Sequence, residues 1–167
     1  NPKQLLDGLP LIIGASATTQ SVRTRMAFTQ IADRLSGADG KGGNRFSPAK
    51  LEAIFFDNRS YAAELTTDAL VALCQATPTA TSSAGNVVDL RAACGVLAAW
   101  SKRMDFGAVG VPVFREFWRS ARNIPGLFAV PFSAANPVNT PRQVNVGNAP
   151  VSAAVLKALA DSVEKMA

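Results

Sequence analysis

Few side chains in this sequence have the types and spacing for chemistry. Cys74 and Cys94 are the only cysteines among 167 residues, and there is no histidine. No Ser-His-Asp triad, Cys-His dyad or His-ligated zinc site can be assembled from these residues alone. Two sulfurs do not make a four-cysteine zinc site either, and no metal or cofactor is expected. Each cysteine lies on an apolar stripe. Two readings stay open for the pair: buried free thiols, or a bridge closing about 20 residues and worth on the order of 3 kcal/mol in an oxidising compartment.

Arg23 and Arg25 open a helical pattern. The helix dipole favours acids at that end, so cations there point to an external partner such as a carboxylate. Gly37-Ala38-Asp39-Gly40-Lys41-Gly42-Gly43 invites comparison with phosphate loops. No strand precedes it, the Walker spacing is absent and no hydroxyl follows the lysine, so it reads as a flexible connector. Asn58-Arg59-Ser60 matches a glycosylation sequon, a short pattern given no role here.

Six helical segments would position these groups. The first runs from about Ser21 to Leu35, with Ala27, Phe28, Ile31 and Leu35 on one face and Gly37 as its stop. The second opens at Ser47-Pro48, an N-cap followed by proline at the first helical position, and presents Leu51, Ile54 and Phe55. The third covers about Tyr61 to Gln75, with Leu70, Leu73 and Cys74 together and a fresh turn at Thr66 or Thr67. The fourth starts after Asn86, carries Asp89 in its first turn, and aligns Leu90, Ala93, Cys94 and Leu97. The fifth, about Val111 to Arg122, presents Phe114, Phe117, Trp118 and Ala121. The sixth opens at Pro150 and turns Val155, Leu156, Leu159 and Val163 inward.

Strand signals are confined to Leu9–Ile13 and Gln143–Val146. Ser36–Asn44, Thr77–Gly85 and Asn123–Asn148 have loop chemistry. The last is too long for an idle connector. It is expected to pack over the helices, or against an absent partner, through Leu127, Phe128, Val130 and Phe132. The expected fold is mainly α: one helical domain over 1–167, about six helices, long irregular loops, and little or no sheet, with 123–148 as a loop packed on the helices.

Composition supports a globular chain. The apolar fraction is 48% and the charged fraction 17%, enough for a core and too apolar for disorder. No stretch approaches the roughly 20 apolar residues of a membrane span. The formal charge of +5 is spread without a run of three cations. Charge and aromatics mix only at Arg115–Arg122, where the apolar positions suit a core, so nucleic acid is not expected as a partner. The chain opens on Asn1-Pro2 and closes on the helical-looking Glu164-Lys165-Met166-Ala167, which reads as a piece of a longer polypeptide.

Several stretches, in order, resemble the penicillin acylase family of N-terminal-nucleophile amidohydrolases, closest to its aculeacin and acyl-homoserine-lactone acylase branch. They are Asn1-Pro2, Arg23-Thr24-Arg25 with Asp33-Arg34-Leu35-Ser36-Gly37, Phe46-Ser47-Pro48-Ala49-Lys50-Leu51 and Asp68 to Cys74. Then come Val88 to Trp100, Val113-Phe114-Arg115-Glu116-Phe117-Trp118, Pro131-Phe132 and Asn139-Thr140-Pro141. The resemblance implies a precursor cut into two chains, the larger of which begins with the nucleophile, usually a serine whose own α-amino group is the base. It places this chain in the helical region of the larger subunit. The nucleophile, its neighbouring histidine and the oxyanion asparagine would lie outside this chain.

Arg23 is the one active-site residue the resemblance maps here, in a supporting role near the catalytic asparagine. The implied partners are the other segments of the larger subunit and the smaller subunit. The implied setting is bacterial, periplasmic or secreted, and favours the Cys74–Cys94 bridge. The implied activity is hydrolysis of a linear amide in an acyl-homoserine lactone, lipopeptide or β-lactam type substrate, with the isolated chain inactive. Two rival readings are a stand-alone helical interaction module and a nucleic-acid binder.

Overall fold

The computed structural model describes residues 17–167. The strand expected at Leu9–Ile13, and Asn1-Pro2, lie outside the described residues. Among the described residues six helices dominate: α1 (Val22–Ser36), α2 (Pro48–Phe55), α3 (Tyr61–Ala76), α4 (Arg91–Ala99), α5 (Gly110–Ala121) and α6 (Ala149–Met166). Four three-residue strands, β1 (Thr79–Thr81), β2 (Val87–Asp89), β3 (Phe128–Val130) and β4 (Arg142–Val144), form two two-stranded sheets. The fold is mainly α, as the periodicity predicts. The backbone gathers into two compact units, one ending at Tyr61 and including Val130–Pro141, the other comprising Ala62–Ala129 and Arg142–Ala167.

In the first unit the helix ends follow local chemistry. The Ser21 hydroxyl accepts from the Thr24 N–H at 3.1 Å, and Gly37, at φ 80°, donates its N–H to the Arg34 carbonyl. Ser47 caps α2 by accepting from the Lys50 N–H, ahead of Pro48. The faces differ from expectation. Phe28, Ile31 and Leu35 are 43–55% exposed and Ala27 is exposed, whereas Arg25, Met26 and Arg34 are buried. The two arginines find acceptors inside the unit, and that turns the apolar stripe outward. On α2 only Ile54 is buried; Leu51 and Phe55 are exposed.

In the second unit the apolar stripes do face the core. Leu90, Ala93, Cys94 and Leu97 are buried, as are Phe114, Phe117 and Ala121 of α5 and Val155, Leu156 and Leu159 of α6. Trp118 and Val163 are half-buried. Trp100, Phe114, Phe117 and Trp118 form an aromatic cluster around Phe114, with centroid separations of 5.3–6.2 Å. Helix α3 runs unbroken through Thr66 and Thr67, and the buried Thr66 hydroxyl is satisfied within it by donating to the Ala62 carbonyl one turn back at 2.7 Å.

Three further boundaries are corrected. Thr77–Gly85 is not a plain loop: its start pairs with Val87–Asp89 as an antiparallel hairpin in register Thr79↔Asp89, built on β-branched Thr79, Thr81, Val87 and Val88. Asp89 is therefore the last strand residue, not part of the first turn of α4, and its carboxylate accepts from the Arg91 N–H at 2.9 Å. The hairpin tip is tied to α6 by Ser83–Asp161, Lys157–Ser83 and Asn86–Glu164 bonds. Finally, the strand expected over Gln143–Val146 spans Arg142–Val144 and pairs with β3.

Candidate functional site

Arg23 and Arg25 sit two residues apart on α1, so about 200° separates their directions around the axis. Arg23 is exposed, in a first helical turn that carries no acidic residue. Arg25 is 1% exposed. Its Nε donates to the Val138 carbonyl at 2.7 Å, and its guanidinium lies 4.9 Å from the Tyr61 ring centroid, a cation–π distance. The Tyr61 hydroxyl is 3.5 Å from the same carbonyl. Arg25 Nη2 is buried with no hydrogen-bond partner among the described residues. Burial pulls the Arg25 pKa below its ordinary value, with Tyr61 opposing the shift. The two arginines share one helix start, yet the structure gives them opposite surroundings.

The glycine-rich segment after α1 is an ordered wrap around Arg34, which is fully buried, rather than a flexible connector. Arg34 Nη1 meets Asp39 Oδ2 at 2.9 Å, and Nη2 donates to the carbonyls of Gly42 and Gly43. Lys50 Nζ also donates to the Gly42 carbonyl. Gly42 and Gly43 have φ of 71° and 63°, a conformation glycine adopts without strain, and this lets the carbonyls converge on the guanidinium. Carbonyl oxygens pointing inward repel a phosphate, so the loop is a cation cradle for the chain's own arginine. The sequence signal that could have revealed it is Asp39, five residues after Arg34, among those glycines.

Cys74 and Cys94 are joined as a disulfide between α3 and α4, with Cα atoms 6.2 Å apart. Both are buried, 0% and 4% exposed. A shallow depression beside the bond is lined by Cys74, Gln75, Pro78, Arg91, Cys94 and Gly95. Arg91 is engaged by Asp89 at 2.8 Å, and that pairing holds the Asp89 carboxyl below its usual range. The depression offers no nucleophile beside a base. Among the described residues, no group of three His, Cys, Asp or Glu side chains could hold a metal ion, and no helix is long and apolar enough to cross a membrane.

These features define a mainly α, disulfide-braced module with an exposed arginine at one helix start and a buried one beside it. The chain belongs to the penicillin amidase family, whose model matches residues 3–167. It is 43% identical over 141 residues to the Aculeacin-A acylase of Actinoplanes utahensis, an alignment covering 84% of this chain and 17% of that protein. It is 26% identical over 167 residues to the acyl-homoserine lactone acylase PvdQ of Pseudomonas putida, covering 99% of this chain and 19% of that protein. Both relatives are acylases, and the family they share with this chain is one of amidohydrolases. The chain spans less than a fifth of the length of either relative.

Proposed function

We propose that this chain is the helical part of an N-terminal-nucleophile acylase, a bacterial enzyme of the periplasm or exterior. The parent enzyme hydrolyses the linear amide of an N-acylated substrate, an acyl-homoserine lactone, lipopeptide or β-lactam type compound. Water is consumed, the C–N bond breaks, and a carboxylic acid and an amine leave. The observation that carries this reading is the 43% identity to an acylase over 84% of the chain. The nucleophile and oxyanion groups belong to other segments of the larger subunit, and the smaller subunit completes the enzyme. The 167-residue chain alone is inactive.

Arg23 serves the site in a supporting role. Its exposure supports that reading, since a guanidinium left in water at a helix start remains available to a neighbouring segment. A cation held there by a neighbouring segment favours negative charge developing on the amide oxygen during attack. In the longer enzyme, Arg23→Ala is expected to lower kcat by more than tenfold with little change in KM. An unchanged kcat removes Arg23 from the site. Intact mass and N-terminal sequencing of the source protein test the parentage: a precursor several times longer, cut to give a serine-initiated chain containing this sequence, is the expected result. A source polypeptide no longer than this chain overturns the reading.

A further inference from the structure

Helix α1 is inverted relative to an ordinary amphipathic helix. Its polar cations Arg25 and Arg34 are buried, while Phe28, Ile31 and Leu35, at spacings of three and four, stand 43%, 45% and 55% exposed. This stripe is about 10 Å long at 1.5 Å per residue. In the same unit, Leu51, Phe55 and Phe56 are 57%, 77% and 65% exposed, and Gln30 Nε2 ties α1 to α2 through the Ile54 carbonyl at 3.3 Å. An exposed apolar stripe on a folded helix, with further exposed apolar side chains on a helix bonded to it, marks an interaction surface. The orientation is fixed rather than incidental. Rolling α1 to bury the stripe breaks the Arg25–Val138 bond and the Arg34–Asp39 pair, and leaves buried polar groups without partners.

We propose that Phe28, Ile31 and Leu35 of α1, with Leu51, Phe55 and Phe56 at α2, form a docking surface for an apolar segment of the same, longer acylase polypeptide. The inference rests on the proposed function. More than four fifths of each relative lies outside the region this chain matches, which supplies the covering polypeptide. A second copy is the weaker occupant, because it carries the same formal +5 and meets like charge.

Hydroxyl-radical footprinting of the unmutated source polypeptide reads the face directly. Phe28, Phe55 and Phe56 are expected to oxidise at least about tenfold more slowly in the native state than in denaturant, independent of protein concentration, as groups shielded from solvent do. Oxidation within about twofold of the denatured rate overturns the proposal, since the phenylalanines are then open to solvent. So does protection that vanishes on dilution, which identifies a second copy. Protection lost on replacing Leu11 and Ile12 by serine identifies residues 1–16 as the cover and overturns it too, as does a source polypeptide no longer than this chain. Amide hydrolysis measured on the same sample separates the two readings. Protection without hydrolysis leaves the docking surface standing and removes the acylase function; hydrolysis without protection does the reverse.

Discussion

Gly110 begins α5 with no room for a side chain. A Cβ built there falls 2.3 Å from Trp100 Cγ and 2.6 Å from Trp100 Cβ, against an optimal carbon–carbon separation of about 3.5–4.0 Å. Gly110→Ala must therefore move the Trp100 ring by more than about 1 Å. That ring is 8% exposed, stands 5.3 Å from the Phe114 centroid and donates from Nε1 to the Arg103 carbonyl at 2.8 Å. Overpacking costs about 1–3 kcal/mol and a lost hydrogen bond about 1. The gain in helix propensity from glycine to alanine offsets at most about 1 kcal/mol. The net loss is about 1–3 kcal/mol, or a Tm lower by roughly 2–12 °C for a chain of this size. Urea unfolding followed by tryptophan fluorescence measures it. The internal control is Gly95→Ala in α4, where a Cβ meets nothing within 4 Å and stability should rise by up to about 1 kcal/mol. A Gly110→Ala protein as stable as the parent refutes the packing described around Trp100.

Three further outcomes follow from the same contacts. Replacing both Cys74 and Cys94 by alanine should cost about 3 kcal/mol from the roughly 20-residue loop alone, read as a lower urea midpoint than the oxidised parent. Arg34→Met strands the Asp39 charge and the Gly43 carbonyl, while Gly42 keeps its bond from Lys50, and should cost roughly 3–5 kcal/mol, measured the same way. Glu116 bonds Lys165 at 2.6 Å and faces Arg119 and Arg115, and the Lys165 bond chiefly holds its carboxyl below the ordinary value. A depressed carboxyl contributes stability that is present above its unfolded pKa and lost as pH falls through the folded one. The urea midpoint should therefore decline from about pH 4.5 downward, and Glu116→Gln should flatten that part of the profile.

The second unit was largely legible in the sequence. Leu90, Ala93, Cys94 and Leu97, and the stripes of α5 and α6, follow the helical period because helices packed on helices bury that period. The caps at Gly37 and Ser47 were legible as well, since a cap is a local contract between one residue and the adjoining turn. The burial of Arg25 was not, because its acceptor, Val138, lies 113 residues away and no local pattern announces a carbonyl at that distance. Arg34 was missed for a related reason: a glycine run reads as freedom until one knows that its carbonyls converge on a cation. The hairpin at residues 79–89 escaped because three-residue strands are too short for an alternation to register, and tertiary bonds from Asp161 and Glu164 hold its tip. The place of Arg23 at the start of α1 was legible from the helical period. Its exposure beside a buried neighbour required the fold.

The most direct measurement compares amide hydrolysis by the purified source polypeptide and by the 167-residue chain, using N-acyl homoserine lactones and monitoring released amine. Steady release by the longer polypeptide and none by the chain is the expected result. Hydrolysis by the chain itself, or its absence from the longer polypeptide across acyl lengths and a lipopeptide substrate, contradicts it.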